Sequence, residues 1–326
     1  MNDTGHDAKN DAGENYPVQL EPVDIKPYRA GNTGVEFVTT LDSGEAGPHV
    51  LITAVVHGNE LCGAIALDYL FKSGVEPITG KLTLAFANHA AYHRFDAGDP
   101  TVSRFVDEDF NRTWGLDVLD GERDTVETQR ARELRPVVDQ ADFLLDIHSM
   151  QHKTPPLMIC GPLEKGRRFA RDLGTPAHVV SDEGHAAGKR MRDYGGFGDP
   201  ASPKNALLME CGQHWEKASA DVAIDTALRF LKMLGTVDDS FAADRHLPLP
   251  DSQRLIEVSG PVTIEADEFR FAQPFTGFEV LADEGTLIGW DGEREIRTPY
   301  PDCVLIMPSR RLYKGQTAVR LGRIIN

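Results

Sequence analysis

The run VLITAVV at 50–56, halted by HGNE at 57–60 and followed by LCGAIALDYLFKSG at 61–74, decides the fold class. Its first seven residues are apolar without alternation, which is the pattern of a strand buried on both faces. The second piece has helical spacing and a glycine stop, so the unit reads as strand, short loop, helix. The unit recurs along the chain. LTLAFA at 82–87 is a second continuous apolar strand, and a charged helix over 122–141 precedes FLLDI at 143–147. LMICG at 157–161 and ALLMEC at 206–211 are further strand candidates, with a helix near 164–173 between them. Strands interleaved with helices predict an α/β fold, a sheet covered by helices.

Beyond a helix expected over 221–234, the segment TVDDSFAADRHLPLPDSQ at 236–253 lacks periodicity and carries prolines, as a linker does. From Arg254 the pattern changes to short strands broken by turns: RLIEVSG, VTIEADEF, FEVLADEGTLIGW, CVLIMPS and TAVRLGRII. The expected organisation is therefore a polar tail over 1–16, an α/β domain over 17–245 that carries the chemistry, and a smaller all-β domain over 246–326.

Thirty-four basic residues against fifty-one acidic ones leave a net charge of −17, a field that repels phosphate backbones and argues against nucleic-acid binding. An anionic substrate would then need a local pocket of arginines. No apolar run reaches the roughly 18 residues of a membrane span, and the acidic start MNDTGHDAKNDAGENY has neither the basic opening nor the apolar stretch of a secretory signal. The expectation is a cytoplasmic chain without membrane contact. Cys62, Cys160, Cys211 and Cys303 lie in separate segments with no CxxC pair, as reduced thiols do.

Four polar segments sit where apolar elements run out. His57 and Glu60 are three residues apart at the turn from strand to helix, where both side chains can converge on one point. Asp146-Ile147-His148-Ser149 closes the strand FLLDI. In open α/β sheets ligands collect beyond the carboxyl ends of strands, and two histidines with one glutamate is a known catalytic zinc set that leaves a fourth position for water. Asp146, two residues before His148, could orient a ligating imidazole. Glu210, ending the strand ALLMEC, is costly to bury without a task, and a base that deprotonates a metal-activated water has one. Arg104 and Arg112 flank the polar segment DEDFN, and arginine offers bidentate geometry to a carboxylate.

The order HGNE, DFNRTW, DIHS, ECG resembles the succinylglutamate desuccinylase and aspartoacylase family, a branch of the zinc carboxypeptidase-like fold, over about residues 45–235. The resemblance implies a mixed sheet covered by helices and one zinc ion per chain on His57, Glu60 and His148. It implies Glu210 as the base, Arg104 as the group that polarises the scissile carbonyl, and Asn111 with Arg112 as the holders of a substrate carboxylate. Tyr313 is a possible counterpart of a C-terminal substrate-binding tyrosine, although LYKGQTAVRLG reads equally as a turn and strand of the β module. The glycine-rich loop 184–200 fits an active-site wall, from which Arg192 could add a second carboxylate contact. His89 and His93 are four apart but lack the glutamate of HExxH.

The expected reaction is hydrolysis of an N-acylated amino acid or a related small carboxylate-bearing amine. A carboxypeptidase acting on peptides, and a binding module that lost catalysis, are the alternatives. A homo-oligomer is compatible with a chain of this size.

Overall fold

The computed structural model describes residues 16–185 and 187–325, so the expected tail lies, apart from Tyr16, outside the described residues. In chain order the elements are β1 (Val38–Asp42), β2 (His49–Ala54), α1 (Leu61–Lys72), β3 (Lys81–Phe86), α2 (His89–Tyr92), α3 (Leu116–Leu119) and α4 (Val126–Gln140). Next come β4 (Phe143–Met150), β5 (Leu157–Ile159), α5 (Glu164–Leu173), β6 (His178–Ser181), β7 (Asn205–Gln213) and α6 (Lys217–Met233). The C-terminal part contains β8 (Arg254–Thr263), β9 (Phe269–Phe271), β10 (Val280–Leu281), β11 (Leu287–Asp291), β12 (Arg294–Arg297), β13 (Cys303–Ile306) and β14 (Thr317–Ile324).

Eleven strands form one mixed sheet in the order β1-β3-β2-β4-β7-β5-β6-β8-β14-β13-β10, and β12-β11-β9 form a second, smaller sheet. The centre is parallel: β3, β2, β4 and β7 run the same way. Alternate residues of these strands explain their unbroken apolar character. Ile52, Leu145 and Leu207 point into a core shared with α1 and α6, whereas Leu51, Leu144 and Ala206 point to the opposite face against α4. Both faces are thus covered, at roughly 1.5–3 kcal/mol for each large side chain fully buried.

Two strands carried no clear sequence signal. β1 is an edge strand, mostly half-exposed, and β6 is only four residues long. The sheet does not stop at the interdomain segment. β8 pairs in parallel with β6 on one side and antiparallel with β14 on the other. A third core cluster joins Met150, Ile159, Val180 and Leu208 to Ile256, Val304 and Ile306 across that seam. All four cysteines are buried and free. Among the described residues, no helix is long and apolar enough to cross a membrane.

Candidate active site

The carboxyl ends of β2, β4 and β7 lie side by side, and each delivers polar side chains. After β2 the chain makes an abrupt turn. Val55 has φ +54°, a left-handed conformation that a β-branched residue adopts only at a cost of order 1–3 kcal/mol. The turn is held from outside, because the amide of Asn88 donates to the Val55 carbonyl (3.1 Å) and the amide of Gly58 to the Arg104 carbonyl (3.1 Å). A Cβ on Gly58 would fall 2.3–2.5 Å from backbone atoms of Ala91, Ser103 and Tyr92, so only glycine fits there.

This turn and the end of β4 bring His57, Glu60 and His148 together, all buried, with one potential ligand atom from each within 4.8 Å of the others. Among the described residues this is the one such group of three. Glu60 lies between the imidazoles, Oε1 2.7 Å from His57 Nδ1 and Oε2 3.0 Å from His148 Nδ1. The far nitrogens face carboxylates. His148 Nε2 is 3.0 Å from Asp146, whose other oxygen accepts from Thr53 Oγ1, and His57 Nε2 is 2.9 Å from Asp109. If His57 and His148 held a cation through Nδ1, their Nε2 protons would face Asp109 and Asp146, which can accept them.

The electrostatics fit a divalent ion. Glu60, Asp146 and Asp109 put three carboxylates in a buried volume with one close guanidinium, that of Arg104, 3.1 Å from Asp109. Burial pushes the Glu60 carboxyl up, but His57 and His148 outweigh it and hold it well below the usual range. Burial alone would lower His148, yet Asp146 and Glu60 raise it well above an ordinary histidine. Without a cation, a proton on His148 supplies positive charge to the group.

Glu210 on β7 is the direct register partner of His148 on β4. Its Oε2 is buried and, among the described residues, has no hydrogen-bond partner. Burial, with Glu60 and Asp146 nearby, pushes its pKa up to about 8 against the pull of His148 and Arg104. Behind the group, Ser149 donates its amide to Glu60 (3.3 Å), and its hydroxyl meets Nδ1 of His214 (2.8 Å), which burial keeps neutral with a pKa of about 3.

Arg104 stands at the rim, its guanidinium 3.0 Å from His57 Nε2 and 4.0 Å from Glu60. Asn111 follows in a 3-10 turn capped by Asp109, and its side chain accepts from the Met191 amide (3.3 Å). Among the described residues, Arg112 donates only to the Asn111 carbonyl (2.7 Å). Arg192 is not brought to the site. It is fully buried, its guanidinium lies over Gly161, and it donates to the Cys160 carbonyl and to Asp193 (2.7 Å). It therefore braces the wall instead of offering its fork to a substrate. Tyr313 is half-buried in the turn before β14, its carbonyl accepting from the Gln316 amide (3.1 Å). His89 and His93 pack with Phe37 away from this group.

Two contributors escaped the sequence reading. Asp109 lies inside the quoted DFNR segment but has no mark that separates it from its acidic neighbours. Glu127, completely buried in the first turn of α4, accepts from the amides of Val106, Asp107 and Glu108 and from Asn88, and so shapes the loop that carries Arg104. In the sequence it is indistinguishable from a glutamate favoured by the helix dipole.

The strand ends thus gather a metal-type triad, a carboxylate with an unpartnered oxygen and an arginine, groups of the kind that a hydrolase uses. The family model described as succinylglutamate desuccinylase/aspartoacylase catalytic domain matches residues 46–234. The chain belongs to that family, and membership is consistent with deacylase activity on amides. Solved structures agree on the fold. A succinylglutamate desuccinylase/aspartoacylase from Rhodobacter sphaeroides aligns with TM-score 0.63 at 17% identity, covering 90% of each chain. A succinylglutamate desuccinylase from Vibrio cholerae aligns with TM-score 0.66 at 18% identity, covering 90% of this chain and 86% of that one. The product-bound ectoine utilization protein from Ruegeria pomeroyi aligns with TM-score 0.60 at 16% identity, covering 88% and 89%. A search of the curated proteins returned no match.

Proposed function

We propose that this chain hydrolyses the N-acyl amide bond of an N-acylated amino acid or a related small carboxylate-bearing amine, with one zinc ion held by His57, Glu60 and His148. Bound there, zinc supplies Lewis acidity and lowers the pKa of water toward ~7. The observation that carries the reading is Glu210, a half-buried residue whose buried Oε2 has no partner among the described residues, directly across the β4–β7 register from His148. An idle buried carboxylate is costly, and a base needs a free lone pair aimed at the reacting water.

In this reading Glu210 takes the proton of the attacking water on Oε2 and returns it to the leaving nitrogen. A raised pKa suits the second half of that transfer, delivery of the proton to the leaving nitrogen, and a cation on the neighbouring triad would favour the carboxylate needed for the first. Arg104, held by Asp109, donates to the carbonyl oxygen as negative charge develops there. Asn111 and Arg112 hold a carboxylate of the substrate and so fix the amide relative to Glu210.

Glu210→Gln tests the assignment. The variant should retain one zinc per chain by elemental analysis. Its release of free amine from N-acetyl, N-succinyl and N-formyl amino acids should fall about 10³-fold. Activity within tenfold of the parent protein would sink Glu210 as the base.

A further inference from the structure

We infer that His214 and Trp215, which follow Glu210 by four and five residues, are positioning residues that hold the Glu60 carboxylate between the two imidazoles. The arrangement begins with a slip in the sheet. His148 on β4 faces Glu210 on β7, but Met150 faces Gln213, so β7 carries one residue more than β4 over that step. Gly212 takes up the excess with φ +113°, a backbone conformation that favours glycine. An extra residue of this kind re-aims the side chains beside it and is common next to active sites. The three residues that follow, Gln213, His214 and Trp215, are all buried.

Each of the three ties the end of β7 to a segment that carries a candidate ligand. Gln213 Nε2 donates to the Gln151 carbonyl (3.1 Å), and its Oε1 accepts from the Trp215 amide (2.9 Å). The His214 amide donates to the Met150 carbonyl (2.8 Å), and His214 Nδ1 lies 2.8 Å from Ser149 Oγ. Trp215 Nε1 donates to the Asn59 carbonyl (3.2 Å). Ser149 directly follows His148, and Asn59 directly precedes Glu60. The last link is the Ser149 amide, which donates to Glu60 Oε2 (3.3 Å) and is, among the described residues, the one backbone amide on that carboxylate. A carboxylate between two imidazoles can turn about its last bond, and each turn changes which lone pairs face a cation. An amide on one oxygen limits that turn, provided the amide itself is held, and the Ser149 hydroxyl on His214 holds it. Burial keeps His214 neutral, with one N–H and one lone pair, so it can partner the hydroxyl without bringing a further charge to the group. Replacing both members of a buried hydrogen-bonded pair by apolar groups is nearly neutral for stability, so folding alone does not call for this one.

The inference rests on the reading that His57, Glu60 and His148 hold a cation, and the test measures that binding directly. Metal-stripped, full-length protein is titrated with Co2+ and its visible absorption recorded for the parent chain, His214→Leu and His214→Asn. Leucine removes the hydrogen bond at similar volume, whereas the asparagine amide puts a polar atom where Nδ1 was. The Leu variant should bind Co2+ roughly tenfold more weakly with a changed spectrum, and the Asn variant should return to within roughly threefold of the parent with the parent spectrum. With zinc bound, kcat for an N-acyl amino acid should fall about tenfold in the Leu variant while KM stays within about twofold, because Asn111 and Arg112 are untouched. If the Leu variant does not fold, Trp215→Phe, which deletes the donor to Asn59, is read in its place, with roughly a threefold loss of Co2+ affinity expected. Parent affinity and spectrum in the Leu variant, an Asn variant no better than Leu, or parent affinity in Trp215→Phe where that variant is read overturns the positioning role. A parent chain that binds no Co2+ removes the metal group and this role with it. Binding that depends on His214, with no acylated amino acid hydrolysed, keeps the positioning role and ends the proposed reaction.

Discussion

Asp109 links three parts of the site through one carboxylate. Its Oδ1 lies 2.9 Å from His57 Nε2 and accepts the Asn111 amide, while Oδ2 holds Arg104. Burial would raise its pKa, yet His57 and Arg104 outweigh that and keep it well below the usual range. Asp109→Asn preserves the shape but halves the accepting capacity, so a ligating His57 would lose its orientation. Zinc affinity in competition with a chromogenic chelator should fall about 10–100-fold; an unchanged affinity would mean that His57 is oriented by something else. The histidines, Glu60 and Glu210 were legible in the sequence because polar residues at the ends of buried strands are conspicuous. Asp109 and Glu127 were not, since each takes its meaning from partners that only tertiary structure supplies. The partners of Arg192 were hidden for the same reason: the Cys160 carbonyl that it meets lies just after β5, 32 residues earlier in the chain.

The element that matters most is the turn between β2 and α1. It combines a left-handed Val55, a Gly58 with no room for a methyl group, and a helix start at Leu61 immediately after the candidate ligand Glu60. Gly58→Ala would press a Cβ against backbone, which cannot swing aside as a side chain would. The variant should lose about 3 kcal/mol of stability in urea unfolding, and its zinc affinity should drop because His57 and Glu60 must move together. A stability loss below 0.5 kcal/mol would show that the turn is loosely held. The elements around it could be read because β2, β3, β4 and β7 are apolar on both faces. Edge strand β1 is mostly half-exposed and β6 is too short to show a pattern. The pairing of β8 with β6 had no local signal at all, since a strand's sequence does not say which edge it will extend.

At the scale of the whole molecule, the candidate metal group stands at the ends of central strands of the one large sheet, so a cation bound only by the folded chain adds to the stability of the fold. In the metal-free protein, Asp146 and Glu60 overcome burial and hold His148 protonated, with its folded pKa well above the unfolded value of ~6.5. A group of that sign contributes stability that is fully present below ~6.5 and is lost as pH rises through the raised folded value. A cation on Nδ1 must displace that proton, so zinc competes poorly at low pH and better as pH rises. One proton released makes the stabilisation at fixed free zinc grow by about 1.4 kcal/mol per pH unit. For a chain of this size that is about 2 °C per unit. Melting temperatures at buffered free zinc should therefore show a larger zinc-induced gain at pH 8 than at pH 6, while the metal-free protein gains nothing over the same interval. An equal zinc-induced gain at both values would mean that binding releases no proton and that His148 is already neutral before the metal arrives.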